Sequence, residues 1–388
     1  MSNFFLYDLQ VLKNLLKAQG YPPASQLHID TEDNNNPRKK HQHNVEDLLK
    51  VNFPGIMKNG KIYIQEAKQD RAQVSPYTEL MNISHVSVFL LMGLSDDPDL
   101  QYPLFGIFFF MYLVTVLGNL FIILAICWDS NLHTPMYFFL GNLSLADIAF
   151  TSTIVPKMLN VINTHNKIIT YVDCLIQSSL LHLFGCMDSL LLTAMAYDRY
   201  VAICRPLHYQ TVMNPCVCGL LVLVTFFISL LESQLQCLIL SHLTFCTDVE
   251  IPSFFCDPSQ LLNLACYVTS NNIILVYCIG AIFGGVPVSL ILLSYGRIVY
   301  SILRVPSAGG KYKAFSTCGS HLSVVCLFYG TAIGVYLSSV ISHSLKKGAV
   351  ASVMYTVVTP MLNPFIYSLR NGDIKTALQR LSSRIVYF

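Results

Sequence analysis

Seven apolar stretches dominate this chain, and each is long enough to cross about 30 Å of hydrocarbon at about 1.5 Å per helical residue. They run over residues 103–128, 137–162, 172–204, 216–240, 272–303, 314–341 and 348–369. A backbone in lipid must satisfy its own polar groups, so these stretches predict helices packed side by side. The fold class that follows is an all-α membrane protein, a seven-transmembrane helix bundle. Composition agrees: 53% of the 388 residues are hydrophobic and only 12% are charged, against about a quarter charged in an ordinary soluble domain.

The charge is unevenly placed. Residues 1–80 hold 19 of the Asp, Glu, Lys and Arg residues and the remaining 308 hold 27. The chain therefore divides into a polar N-terminal extension over 1–80, a membrane body over 81–384 and a short tail over 385–388. The extension contains Asn34-Asn35-Asn36-Pro37 and the basic run Arg38-Lys39-Lys40. Its composition predicts a mostly disordered segment, with a short helix where Val11, Leu12, Leu15 and Leu16 keep helical spacing. Met1 to Leu16 is interrupted by Asp8 and Lys13 and does not read as a signal peptide. A net charge of +2 with no basic stripe gives no nucleic-acid surface.

Lys and Arg near the span ends set an orientation. Arg199, Arg205, Arg297, Arg304, Lys311, Lys313, Arg370, Lys375, Arg380 and Arg384 fall on one side, and Lys157, Lys167, Lys346 and Lys347 on the other. This predicts a cytoplasmic C-terminus and an extracellular N-terminus in a multi-pass plasma-membrane protein. The sequon Asn82-Ile83-Ser84 then lies outside, where Asn82 can be glycosylated. The sequon at Asn142 falls inside a span. After the seventh span, Ile374, Leu378, Leu381 and Ile385 form one apolar line, with Lys375, Arg380 and Arg384 off it. This predicts an amphipathic helix on the inner leaflet. No cysteine follows Cys326, so a palmitoyl anchor is excluded there.

Ionisable residues inside spans are costly and mark function by default. Asp147, Asp188 and Glu232 are such residues, as are Asp198 and Arg199 at the exit of the third span. Asp188, Leu192, Met195 and Arg199 are spaced four, three and four apart, so they share a face. Snorkelling of Arg199 to the headgroups is the structural alternative. Glu232 has no partner that the sequence reveals. Pro364 removes a hydrogen bond from span 7, and Asn363 is placed to refill the freed group.

The segment Met195 to Tyr209 reads MAYDRYVAICRPLHY. Its Asp198-Arg199-Tyr200 resembles the rhodopsin-like G-protein-coupled receptors, and the phrase through Pro206, Leu207, His208 and Tyr209 resembles their olfactory (odorant) branch. Further segments agree in order and depth: Gly118-Asn119, Pro135 to Leu140 with Leu143-Ser144 and Asp147, Ser294-Tyr295, Lys313 to His321, Phe328-Tyr329-Gly330, and Pro360 to Tyr367. The resemblance covers about Met81 to Arg384, and Met81 sits where such a receptor would begin.

The resemblance implies roles residue by residue. Asp198, Arg199, Tyr200, Tyr295, Asn363, Pro364 and Tyr367 would serve activation and G-protein coupling, with Pro364 the hinge that swings Tyr367 toward Tyr295 and Arg199. Asp147, Asp188 and Asn363 would surround a pocket holding either a sodium ion or a protonated, hydrogen-bonded network. Disulfides Cys174–Cys256 and Cys246–Cys266 would tie the outer loop. Ser253 stands where relatives carry a histidine in a His-x-x-Cys-acid pattern, which removes a ligand from any metal-linked odorant site. Tyr329 and Thr331 replace the tryptophan and proline of other rhodopsin-like receptors. Lys311 replaces an acid, so an arginine–acid lock between spans 3 and 6 is not available, and restraint falls to Asp198 and other contacts.

Depth and facing give a ligand pocket in the outer half: His182, Gly185, Cys186, Ser189, Ile279, Phe283, Tyr329, Ala332, Tyr336 and Thr356. The set is mostly apolar with a few polar handles, which suits a small lipophilic or volatile molecule. The function implied is an odorant receptor that activates a stimulatory G protein and raises cyclic AMP. Alternatives are a non-olfactory metabolite receptor of the same fold, or an ion-coupled transporter using the intramembrane acids. No internal repeat supports the transporter. No nucleophile–base pair or phosphate loop supports an enzyme.

Overall fold

The computed structural model describes residues 88–93, 97–245, 250–266, 270–304, 307–341, 345–370 and 372–386. The N-terminal extension, Asn82 and Cys246 lie outside the described residues. So do the readings placed on them: the short helix at Val11–Leu16, the sequon and the Cys246–Cys266 pairing.

Seven helices are long and apolar enough to cross a membrane, as the apolar runs require. They are α1 (Pro98–Trp128), α2 (Pro135–Thr164), α3 (Tyr171–Cys204), α4 (Pro215–Ser241), α5 (Ser270–Leu303), α6 (Ala308–Ile341) and α7. The last is composite: an α-helical segment Leu345–Val353, a π-helical turn Met354–Val358 and a second α-helical segment Thr359–Arg370. An eighth helix, α8, follows at Gly372–Val386. Proline opens α1, α2 and α4 in the first turn, where its missing N–H costs nothing. Asp97, Thr170 and Asn214 cap α1, α3 and α4 by accepting backbone N–H bonds.

The helix α3 is central. It packs on α2, α4, α5 and α6, and 61% of its apolar window is buried, against 17% for α5. On α1 the side chains of Phe109, Phe110, Leu113, Leu117 and Phe121 are exposed, and on α5 those of Val286, Leu290, Leu292 and Leu293. In water these bands would be aggregation surfaces. In hydrocarbon they face their natural solvent.

Two features were not expected from the sequence. A three-stranded sheet covers the Cys174 end of the bundle: β1 (Val88–Leu91) pairs antiparallel with β2 (Ile168–Thr170) and parallel with β3 (Glu250–Ile251). Phe89 and Leu91 alternate inward along β1 and join Ile251 and Leu240 in the core beneath. The other is the π-helical turn in α7, immediately before Pro360. That proline has no N–H for the fourth carbonyl behind it, and Thr359 instead closes a wider turn by donating its hydroxyl to the Met354 carbonyl at 2.9 Å.

The apolar face of α8 packs on the protein itself. Ile374, Ala377 and Leu381 are buried, and Ile374 and Ala377 join the main core cluster. Two polar contacts fix the helix to the α1–α2 connection and to the first turn of α2. Arg380 pairs with Asp129 at 3.0 Å, and the Tyr137 hydroxyl donates to Asp373 at 3.1 Å.

Candidate functional site

The site has three tiers along α3. At the Cys174 end, a disulfide joins Cys174 to Cys256 with 5.5 Å between Cα atoms. Gln177, three residues on from Cys174, accepts the Cys256 N–H at 3.0 Å and donates to the Thr153 carbonyl at 3.2 Å. These contacts seat the loop carrying Phe254, Phe255 and Asp257 over the mouth of the bundle. The remaining nine cysteines among the described residues, apart from Cys266, are free.

Beneath that loop is a cavity of about 410 Å³, within the usual range for small-ligand sites. His182, Gly185, Cys186, Ser189, Phe283, Tyr329 and Ala332 line it, as expected from depth and facing. Ile279 and Thr356 lie elsewhere. Ile279 is buried in the outer cluster against Cys256, Leu261 and Leu262. Thr356 is fully buried in the π-helical turn, its hydroxyl donating to Ser352. The wider turn rotates that position off the cavity wall, which a regular 3.6-residue count does not capture. The Tyr336 side chain lies outside the described residues.

The cavity is closed at its inner side by a bond between α3 and α6, Ser189 Oγ to Tyr329 hydroxyl at 2.7 Å. Gly185 has a packing reason to be glycine: a β-carbon there would sit 3.1 Å from the Tyr355 hydroxyl. Sequence reasoning missed Glu232, Phe255, Asp257 and Tyr355 as lining residues. Glu232 was legible as a buried acid, but its facing was not.

The middle tier is a buried polar cluster. Asn363 Nδ2 donates to both carboxylate oxygens of Asp147, at 3.1 and 2.9 Å. This corrects the expectation that Asn363 refills the backbone group freed by Pro364. That carbonyl, Pro360 O, accepts instead from Asn119 Nδ2 of α1 at 3.3 Å. Gly118 allows the approach, since a β-carbon there would lie 3.1 Å from the Pro364 ring. Asn363 is free to serve Asp147 because α1 supplies the repair.

Asp188 lies within electrostatic reach of Asp147 and is 3% exposed. Its Oδ1 and the Asn363 Oδ1 are buried without a protein partner. Two carboxylates and an amide oxygen, with acceptor atoms unused, fit a hard monovalent cation. They fit a shared proton equally well. Among the described residues no group of three or more His, Cys, Asp or Glu converges to hold a metal.

The inner tier surrounds Arg199. Asp198 does not pair with its neighbour among the described residues. It accepts the Tyr209 hydroxyl at 2.8 Å, and burial, with the carboxylate beside it, pushes the Tyr209 phenol above its usual range. The Arg199 Nε is enclosed without a protein partner. Close by, His321 of α6 bridges two helices. Its Nε2 meets the Leu192 carbonyl at 3.0 Å, and its Nδ1 meets the Tyr295 hydroxyl at 2.7 Å. A carbonyl only accepts, so Nε2 carries the proton. In the neutral ring Nδ1 then accepts from Tyr295. Tyr367 is buried in the same cluster, with its hydroxyl unpartnered, and Tyr200 is half-buried at its edge. His321 was legible as part of a motif but not as the residue joining α3, α5 and α6.

A mostly apolar cavity at one end of a seven-helix bundle, a buried acid cluster midway and an arginine-centred network at the other end are the arrangement of a rhodopsin-like receptor. Residues 108–384 match the profile of the olfactory receptor family. The chain is 61% identical to mouse olfactory receptor 7E178 over 331 residues, covering 85% of this chain and all of that one. It is 64% identical to human olfactory receptor 7E24, covering 80% of this chain and 91% of that one. With human olfactory receptor 7D4 the identity is 60%, covering 79% and 98%. The chain belongs to the olfactory receptor family of G-protein-coupled receptors.

Proposed function

We propose that this chain is an odorant receptor of the plasma membrane, with its N-terminus outside and its C-terminus in the cytoplasm. It binds a small lipophilic or volatile molecule in the cavity below the Cys174–Cys256 loop. It then activates a stimulatory, olfactory-type G protein that raises cyclic AMP. The observation that carries the ligand reading is the mostly apolar cavity of about 410 Å³ whose wall includes α3, α5 and α6. The Ser189–Tyr329 bond in that wall joins the two helices that must part for coupling. The ten-to-four excess of cationic residues supports the orientation.

The mechanism is a population shift between two arrangements of the bundle, limited by the ligand's differential affinity for them. In the resting arrangement His321 ties α6 to α3 and α5, and Asp198 holds Tyr209. An outward movement of α6 exposes Arg199 to the G protein. Pro364 hinges the end of α7 and carries Tyr367 toward Tyr295 and Arg199. Asp147, Asp188 and Asn363 would hold either a sodium ion, which when bound offsets one of the two buried negative charges, or a shared proton.

The test is cyclic AMP in cells expressing this chain with an olfactory stimulatory G protein, across a mixed odorant panel, beside Arg199→Ala. A response lost in the variant supports the reading. A response that persists in Arg199→Ala at equal surface delivery rejects the coupling role.

A further inference from the structure

Within the cavity just described, one buried acid has no role in the proposed activation mechanism. Glu232 on α4 lines the cavity, is 4% exposed, and its Oε2 is enclosed without a protein partner. Leaving a buried carboxylate oxygen unmatched is costly unless something donates to it. Gln236, one helical turn away, is within reach of Glu232. It does not occupy Oε2.

The other polar groups on the wall sharpen what that something must be. The Nδ1 of His182 lies 2.9 Å from the Ser178 carbonyl, so it carries the proton. In the neutral ring Nε2 is left as an acceptor. Ser189 and Tyr329 bond one another, and the hydroxyl that accepts keeps its own proton as a neutral donor. Asp257 accepts from the Ser259 N–H at 3.1 Å and from its hydroxyl. Among the described residues no Lys or Arg lines the cavity. Glu232 Oε2 is the buried carboxylate oxygen on the wall left without a protein partner, with His182 within electrostatic reach of it. A ligand head that only accepts, such as an aldehyde, ketone or carboxylate, leaves that oxygen unmatched, and a carboxylate head is also repelled by it. A head with several N–H donors and a positive charge meets the lone carboxylate as a counter-ion. Phe255, Phe283, Phe328 and Val288 surround the rest of the ligand with apolar surface.

We propose that Glu232 selects protonated amines: the ligand is a small aliphatic or cyclic amine whose ammonium donates to Glu232 Oε2 while its hydrocarbon body fills the cavity. The inference rests on the reading of this cavity as the odorant site. It places the cation's partner on α4, whereas α3 offers Leu181, not an acid, at the comparable depth.

The experiment compares an amine, an alcohol, an aldehyde and a carboxylic acid of matched carbon skeleton, drawn from several skeletons, on the full chain and on Glu232→Gln. Cyclic AMP and surface delivery are read together. The wild-type chain should respond to the amine at lower concentration than to its congeners. Glu232→Gln keeps the shape but removes the charge. It should raise the half-maximal concentration for the amine by about tenfold or more, the scale of a charge-assisted hydrogen bond. Any alcohol response should move less than about threefold. The alcohol response also shows that the variant is folded. Responses to aldehydes or acids that equal or exceed those to amines, or an amine response that Glu232→Gln leaves unchanged, overturn the selection by Glu232 and leave the odorant-receptor reading standing. Silence toward every amine while a mixed odorant panel still activates the chain overturns it equally. Silence toward that mixed panel as well, with surface delivery verified, counts against the receptor reading itself.

Discussion

Tyr295 on α5 and His321 on α6 hold one another at 2.7 Å, and the far side of the same imidazole holds the Leu192 carbonyl of α3 at 3.0 Å. One ring thus fastens three helices beside Arg199. The Leu192 bond must break for α6 to leave α3, and the Tyr295 bond for α6 to leave α5, so both stabilise only the closed arrangement. His321→Ala should raise odorant-independent cyclic AMP several-fold, since losing about 1 kcal/mol shifts a two-state ratio about fivefold. Tyr295→Phe spares the Leu192 bond and should raise it less. Basal output per surface receptor is the measurement; an unchanged or lower value in His321→Ala would reject the restraint.

Arg199→Ala should abolish the odorant response with surface delivery largely retained. The Arg199 Nε has no protein partner, and Asp198 is satisfied by Tyr209. Truncation therefore strands no buried acid, and folding has little to lose. Flow cytometry of a tagged receptor alongside cyclic AMP separates the two effects.

The close approach of α1 to α7 predicts an order of severity. Gly118→Val places a β-carbon about 3 Å from a rigid proline ring and forces the helices apart, an overpacking cost of about 1–3 kcal/mol. Asn119→Ala loses one interhelical hydrogen bond, about 0.6 kcal/mol on average within membranes and at most about 1.7. Thermal inactivation of detergent-solubilised receptor should rank Gly118→Val below Asn119→Ala, and both below wild type. The reverse order would mean that the capped carbonyl matters more than the packing.

Cys174→Ser should sharply reduce surface delivery. The bridge to Cys256 spans 82 residues, and closing a loop of that size is worth roughly 4 kcal/mol in the chain-entropy account. It also seats Phe255 and Asp257 over the cavity. Normal delivery and normal odorant response in the variant would contradict both roles.

The attachment of α8 carries a pH prediction. The Asn131 backbone N–H foremost, with Arg380 adding, holds the Asp129 carboxyl below its usual range. A folded-state value below the unfolded one gives stability above the unfolded pKa, lost as pH falls through the folded pKa. The protection factors of the α8 amides, corrected for the intrinsic pH dependence of exchange, should therefore be flat from neutrality down to about pH 5 and fall only in acid below the ordinary carboxylate value of about 3.9. Loosening near pH 6 would point to a different anchor.

The seven helices were legible because hydrocarbon imposes one rule on every residue it touches, and a run of apolar side chains announces it. The motifs at Arg199, Asp147 and Asn363 were legible as words, but their sentences were not. Asn363 was expected to mend its own helix, and instead Asn119, 241 residues from the Pro360 carbonyl it meets, does so. Glu232 was visible as an anomaly, yet only the packing of α4 turned it toward the cavity. Thr356 was misplaced because the π-helical turn before Pro360 shifts the phase of everything outward of it. The sheet of β1, β2 and β3 depends on pairing among three distant short segments, none of which carries enough residues to declare itself.

The Asn119–Pro360 contact also bears on how the chain is assembled. The helix that completes the hydrogen bonding of α7 is the first span to leave the ribosome, and α7 is the last. Until α1 and α7 meet, a bare carbonyl sits in the lipid-embedded stretch beside Pro364. The finishing of the bundle is thus a circular closure, in which the oldest segment certifies the newest. A receptor truncated before α7 keeps Asn119 bonded only within α1, to the Thr115 carbonyl at 3.1 Å, and one lacking α1 leaves the Pro360 carbonyl unmet. The second form exposes an unsatisfied backbone group to hydrocarbon, where no water can replace the missing donor.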